Sequence, residues 1–491
     1  MPKRTTSFEL VLPVRPAGTP ANRWLYWALR TEILEGRMRP GTRLPGSRDL
    51  AAQYGLSRGT IVDAFEQLRS EGYVQGSVGS GTYVSNTLPD DLFRPVSGAL
   101  RESPATFKPR RSISQYGRRV TPFPVLEMRP SRAFRPNVPA LDLFPTTLWA
   151  QVTARCLRRA STGLLLGCDP LGYLPLREAV ADYLGTSRGV KCLPAQVAIL
   201  SGVQEAINLV SRLFLNPGDR VCVENPGFPG AVIAFASVGA SVKPLPVDSE
   251  GVELRGPALH GARLVYVTPA HQFPLGMTMS LQRRLKLLEW ARNSGGLILE
   301  DDYDSEFRYS GRPVPALQGL DRAGVVLFAG SFSKVMFPSL RLGYLVVPPD
   351  LVHHFEAAIS VTSRHSPLIE QAVLCDFISE GHFGRHLRRM REVYAARLSV
   401  LRESAARSLK GLLDVSDVEA GLQTAGWLGG GIDAESAAKA ASARNVEVVP
   451  LTRYGRGGVA RGGVQLGFAA VDENEIRRGV RELAAALEKL A

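Results

Sequence analysis

Residues 331–344 read SFSKVMFPSLRLGY. Lys334 stands there beside two hydroxyl residues, Ser331 and Ser333, and Arg341 follows it seven positions later. A lysine amine can form a Schiff base with an aldehyde, and hydroxyl and guanidinium donors match a phosphate group. Together they suggest pyridoxal 5'-phosphate, whereas a lysine taken alone is as a rule a solvated surface charge.

The surroundings of that loop sharpen the choice. VVLFAG reads as a strand that delivers SFSK at its carboxy end. GGLILE does the same for Glu300, Asp301, Asp302 and Tyr303 in EDDYDSEFRY. A buried carboxylate beside a pyridine nitrogen keeps it protonated, and a phenol can bond the 3-oxygen of such a ring. Asp301 and Tyr303 are the candidates for these tasks; an acidic strand end also suits magnesium or plain solvation. AILSGVQEAINLVSRLF is a strand ending at Leu200, with Ser201 and Gly202 opening a helix. Gly202, Val203 and Gln204 are therefore candidate phosphate contacts, or the glycine serves packing alone. VCVENPGFPG places Phe228 after a strand, where a flat ring either stacks on a flat cofactor or fills the core. From Leu143 onward short apolar runs alternate with helical patterns, which predicts a parallel sheet covered by helices on both faces, with ligands at the strands' carboxy ends.

The chain has 491 residues, 45% of them hydrophobic and 21% charged, which suits two to four domains and no membrane role. The amino terminus lacks a signal peptide's apolar core, so a cytoplasmic location is expected. Cys156, Cys168, Cys192, Cys222 and Cys375 are dispersed without CxxC pairing, which argues for free thiols rather than a disulfide framework or a metal site. A formal net charge of +13 favours a polyanion partner.

The first eighty-five residues point to double-stranded DNA. Leu25, Ala28, Leu29 and Ile33 recur at helical spacing, and Gly36 stops that helix. Ser47 is read as the cap of a short helix closed by Gly55, and Ser57 as the cap of another bearing Ile61, Ala64, Phe65 and Leu68 on one face. Two helices joined by a tight turn make a helix-turn-helix, whose second helix offers its first turn to a major groove. Tyr73–Gln75 and Thr82–Val84 then read as a hairpin around SVGSG. The span 87–138 is rich in proline and arginine and reads as a mobile tether, either inert or brushing DNA through its charges.

GTRLPGSRDLAAQYGLSRGTIVDAFEQLRSEGYVQGSVGSGTYV resembles the winged helix-turn-helix of GntR-type regulators in its SRxLA, LSRxT and GSGTYV pieces. That resemblance implies DNA contacts by Arg48, Ser57, Arg58 and Thr60 and places Gly81 in the wing. Leu143–Ala491 resembles a fold type I aminotransferase, and the join resembles the MocR/GabR-type regulators. The fold implied is multidomain: an α+β winged helix-turn-helix (18–86), a linker (87–138) and an α/β pyridoxal phosphate-dependent transferase-like body (139–491, its large domain about 170–370). The resemblance assigns Lys334 to the Schiff base, Asp301 to the ring nitrogen, Tyr303 to the 3-oxygen, Phe228 to stacking, and Ser331, Ser333 and Arg341 to the phosphate. It also implies a homodimer, hence repeated half-sites in the DNA.

Two departures stand out. HQFPLG places Phe273 where aminotransferases carry an asparagine, and VQLGFAA places Gln465 where they carry the carboxylate-binding arginine. Arg461 and Arg453 are possible substitutes. The expected function is a transcriptional regulator that senses pyridoxal phosphate or an amine bound to it; the alternative is an active aminotransferase with a DNA-binding head. Arg58→Ala is expected to weaken operator binding in a gel shift, and unchanged affinity would remove Arg58 from the interface.

Overall fold

The computed structural model describes residues 10–77, 81–89, 112–123, 130–254, 259–310, 315–457 and 461–491. They fall into two units, Met1–Arg110 and Arg111–Ala491.

In the first unit α1 (Ala21–Leu34) buries Trp24, Leu25, Ala28, Leu29 and Ile33, the face that the spacing predicts. Helix α2 spans Ser47–Tyr54 and ends at Gly55, whose φ of 64° is a left-handed conformation that glycine adopts without strain. Ser47 is not its cap: it is the first helical residue, Gly46 precedes it, and no side chain caps that end. Helix α3 (Arg58–Ser70) begins as expected, with Ser57 Oγ accepting from the Thr60 amide at 3.1 Å. Such a cap contributes about 1 kcal/mol. Strands β1 (Val74–Ser77) and β2 (Gly81–Val84) pair antiparallel, Val74 opposite Val84 and Ser77 opposite Gly81. The core of this unit extends past the 18–86 span, because Leu10, Leu12 and Leu88 are buried in it.

The second unit contains β3 (Val197–Leu200), β4 (Arg220–Asn225), β5 (Ser241–Asp248), β6 (Gly251–Val252), β7 (Ala262–Val267), β8 (Leu297–Asp302), β9 (Val326–Ser331) and β10 (Gly343–Val346). They form an eight-stranded sheet in the order β3-β10-β9-β8-β7-β4-β5-β6. β9, β8, β7, β4 and β5 are mutually parallel. The sheet is mixed rather than all parallel, since β10 runs antiparallel to both β3 and β9 and β6 antiparallel to β5. The stretch 332–342 is too short for a crossover, so β10 must return beside β9 in the opposite sense. Successive residues alternate between two cores: Ile199, Phe328 and Val346 face one, Leu200, Leu327 and Leu345 the other. The carboxy ends of β3, β4, β7, β8 and β9 thus share one edge of the sheet.

A second, four-stranded antiparallel sheet follows, made of β11 (Leu413–Val415), β12 (Gln423–Leu428), β13 (Val449–Pro450) and β14 (Gly463–Gly467), in the order β11-β12-β14-β13. The helices His382–Ser408 and Glu473–Leu487 pack against each other beside it.

The span 87–138 does not behave as a tether throughout. Ala133 and Phe134 are fully buried, the Phe134 carbonyl accepts from the Gly467 amide at 2.9 Å, and the Ala133 carbonyl accepts from the Glu447 amide at 2.9 Å. Gly467 permits this approach: a Cβ there would lie 2.0 Å from the Arg135 carbonyl oxygen. Further upstream, Ser114 caps the short helix Gln115–Arg119, and the Arg212 guanidinium lies 5.5 Å from the Tyr116 ring centre. Residues 90–111 and 124–129 of the span lie outside the described residues. Phe134→Ala is expected to lower the stability of the second unit by about 3–5 kcal/mol in denaturant titrations. An unchanged midpoint would return 130–138 to the linker.

Candidate functional site

Lys334 lies in the helical turn Phe332–Val335 that directly follows β9. Its Nζ donates to the carbonyl oxygen of Asn137 at 2.8 Å. Burial pushes the ammonium down to about 8, against the pull of Asp304 and Asp301, which favour its charge. An amine with so low a proton affinity has an appreciable neutral fraction at pH 7, about one tenth, where an exposed lysine has almost none.

Asp301, at the end of β8, is buried with the opposite consequence. Burial pushes its carboxyl up to about 7; the Tyr266 hydroxyl and Lys334 oppose this, and Asp302 and Asp304 add to it. Tyr266 donates to Oδ2 at 2.5 Å, and Oδ1 is buried with no partner. An unpaired buried carboxylate oxygen is costly, so this atom is ready to accept a hydrogen bond from a ligand. Asp302 is committed elsewhere, 2.6 Å from the buried Arg188. Glu300 receives the Leu317 and Gln318 amides at 2.9 and 3.0 Å. Of these three acidic residues, Asp301 alone presents an unpaired oxygen without a charged side-chain partner.

The Tyr303 hydroxyl lies 3.0 Å from His271 Nδ1, and that nitrogen lies 2.9 Å from Asp304 Oδ1. Burial pushes the phenol well above its usual value, and Asp304 and Asp301 add to the shift, so it stays protonated as a donor. Phe228 stacks on Tyr266 at 6.5 Å between ring centres and meets Phe273 edge-on at 5.8 Å. Phe273 in turn stands edge-on to Tyr303 at 5.9 Å. These contacts bring Asp301, Tyr303 and Phe228 into one cluster, and Lys334 lies close enough to Asp301 to respond to its charge.

The anion side is built from β3 and the lysine loop. Gly202, with φ 114°, caps the helix Val203–Phe214, so the amides of Val203 and Gln204 open that helix. The Arg341 guanidinium lies 3.8 Å from where a Cβ on Gly202 would sit, in ordinary contact, and the φ of 114° favours glycine there. Ser331 Oγ accepts from the Ser333 amide at 3.1 Å, which holds the two serines together. Gln204 Nε2 donates to the Gly230 carbonyl at 3.0 Å, tying this end to the turn that carries Phe228. Helix-opening amides, hydroxyls and a guanidinium are a donor set suited to a phosphate.

The remaining wall bears on a question the sequence leaves open. Gln465 is fully buried on β14 and its Oε1 accepts from the Tyr454 hydroxyl at 2.7 Å. Neither proposed substitute arginine takes its place: Arg453 makes a two-point contact with Glu435 at 3.0 and 2.6 Å, and Arg461 lies over the Trp427 ring at 5.4 Å.

In the first unit Arg48 and Arg58 are exposed at the amino ends of α2 and α3, with Ser57 and Thr60 beside Arg58. Gly81 opens β2 with φ 117°, and a Cβ there would lie 2.8 Å from Arg43 Nε. Arg43 therefore belongs beside the wing, although nothing in its own sequence context marks it.

Sequence reasoning did not find Asn137, Tyr266, His271, Asp304 or Tyr454. Asn137 sits in a stretch read as linker; its φ of 65° is a left-handed conformation that asparagine tolerates better than most residues, and no sequence spacing announces it. The others contact the candidate residues only after the chain folds.

The family model "Aminotransferase class I and II" matches residues 137–483, and "Bacterial regulatory proteins, gntR family" matches residues 23–84. The chain is 38% identical over 473 residues to the probable rhizopine catabolism regulatory protein MocR of Rhizobium meliloti, covering 96% of this chain and 94% of that protein. It is 29% identical to the pyridoxine biosynthesis transcriptional regulator PdxR of Corynebacterium glutamicum, covering 97% of each. Among solved structures, LysN, an α-aminoadipate aminotransferase from Thermus thermophilus complexed with N-(5'-phosphopyridoxyl)-L-leucine, superposes with a TM-score of 0.66 at 30% identity over 73% of this chain and 92% of that one. Kynurenine aminotransferase from Pyrococcus horikoshii gives 0.67 at 28% over 73% and 91%.

Proposed function

The chain belongs to the family of GntR-headed regulators with an aminotransferase class I and II body, of which MocR is a member, and from that premise we propose that its body holds pyridoxal phosphate and uses it to sense an amine. The head makes it a DNA-binding transcriptional regulator. The observation that carries the cofactor reading is Asp301 Oδ1, buried and unpaired in the cluster that Lys334 adjoins.

Pyridoxal phosphate supplies an aldehyde that condenses with primary amines and a ring whose protonated nitrogen withdraws electrons. The chain's own residues do the rest. Lys334 offers the amine, already inclined to be neutral. Asp301 Oδ1 would accept the ring N–H, and the ion pair would relieve the cost of burying that carboxylate. Tyr303 would donate to the 3-oxygen, and Phe228 would stack on the ring. Gly202, Val203, Gln204, Ser331, Ser333 and Arg341 hold the phosphate. The Asn137 carbonyl accepts from Lys334 Nζ at 2.8 Å and would hold that amine whenever the aldehyde did not.

In the head, Arg48, Ser57, Arg58 and Thr60 touch phosphates or base edges, and Gly81 lets the wing approach the backbone. Two copies in a homodimer read repeated half-sites. A DNA partner is consistent with a cytoplasmic location. Among the described residues no helix is long and apolar enough to cross a membrane. The same lysine, carboxylate and phenol serve an aminotransferase, but Phe273 and Gln465 weigh against efficient turnover.

Purified protein mixed with pyridoxal phosphate is expected to develop a visible absorption band that Lys334→Ala lacks. The lysine's proton affinity is lowered, so its neutral form accumulates as pH rises: the rate of band formation should climb through a midpoint near pH 8 and level off above it. A band of equal strength in Lys334→Ala, or a midpoint near that of a free lysine, contradicts the assignment.

A further inference from the structure

We propose that Gln465 selects the effector, and that the effector is a primary amine bearing an uncharged oxygen, as hydroxyl, ether or carbonyl, where an amino acid bears its carboxylate. The inference rests on the pyridoxal phosphate reading of the Lys334 site and adds what that site admits.

Gln465 lies on β14 and is fully buried. The Tyr454 hydroxyl donates to its Oε1 at 2.7 Å, which leaves Nε2 as the end free to meet a ligand. Nε2, the donating end, is buried with no partner. Buried donors almost always find an acceptor, so an orphan of this kind marks the place of a missing one. The amide also stands at the right wall. Tyr454 meets Phe273 edge-on at 5.0 Å, and Phe273 meets both Tyr303 and Phe228.

The chemistry of the acceptor follows from charge. An amide offers N–H donors without a formal charge. A carboxylate brought against it would lose its water with no cation in return, whereas a hydroxyl or carbonyl oxygen loses far less. The two arginines weighed as substitutes have other partners, Arg453 with Glu435 and Arg461 over Trp427. Phe273 adds an apolar ring to the same wall, so the site as a whole disfavours a second charge on the ligand.

The test uses full-length protein loaded with pyridoxal phosphate and series of compounds sharing a carbon skeleton: an α-amino acid, its primary amide and its amino alcohol, over several side chains. Binding is read from the visible band and, independently, by calorimetry. In every series that binds, the amide or alcohol should bind at least about tenfold more tightly than the acid, the discrimination a mismatched buried polar contact brings. Gln465→Arg should reverse that order. Should the buried arginine prevent folding, Gln465→Met, which keeps the length and removes the donors, should bring the members of a series to within about twofold. Preference for the acids in the parent protein overturns the proposal, as does a Gln465→Met variant that keeps the parent's preference. So does a loaded protein that binds no series at all. Failure of the visible band to form would instead overturn the cofactor reading.

Discussion

An ammonium group taken out of water must find acceptors or give up its proton, and Lys334 does some of both. It donates to the Asn137 carbonyl, and burial brings its proton affinity down to about 8. The same burial drives the nearby Asp301 carboxyl up to about 7. A base and an acid whose values approach one another near neutrality are poised to exchange charge with a ligand. Holding them there depends on elements far apart in sequence. Asn137 must be presented, and its own amide is fixed by Gln423 Oε1 on β12 at 2.9 Å. Phe134, three residues before it, must be packed against β14. The lysine loop, the small sheet and the segment 130–138 therefore stabilise one another around a single buried amine.

That arrangement bears on regulation. A ligand shifts an equilibrium only through contacts that differ between two states. On the proposed reading the Lys334–Asn137 bond would be such a contact, because a lysine engaged by an aldehyde could not also donate to Asn137 in the same way. Asn137 stands on the chain that leads back toward the head. On that chain, too, Phe123 places its ring 5.9 Å from Phe228, against the proposed stacking residue. Occupancy of the site thus changes the surroundings of two points on one segment.

Much of this was legible because it is local. A capping serine and an apolar face repeating at 3, 4 and 7 identify α3 with no knowledge of its neighbours. Strand-end residues such as Asp301 and Lys334 are likewise announced by the apolar run before them. What escaped was tertiary. Period and composition say nothing of strand direction, so the expected sheet is parallel where β10 and β6 in fact run antiparallel to their neighbours. Proline and arginine around Ala133 and Phe134 masked two buried residues. Ser47 looks like a cap but lies one position inside its helix. The pairing of Tyr454 with Gln465, and of Arg453 with Glu435, joins side chains from different elements, and no spacing rule reaches across that gap.

The central claim is that the state of Lys334 is felt at the DNA. Its most direct test is the affinity of full-length protein for a fragment it selects from a random DNA pool, measured by fluorescence anisotropy with and without pyridoxal phosphate, for the parent and for Lys334→Ala. The account predicts that the cofactor changes the parent's dissociation constant by about fivefold or more, the lower end of usual allosteric couplings, and leaves the variant's unchanged. Equal affinities in the parent with and without the cofactor, or the same change in the variant, would contradict it.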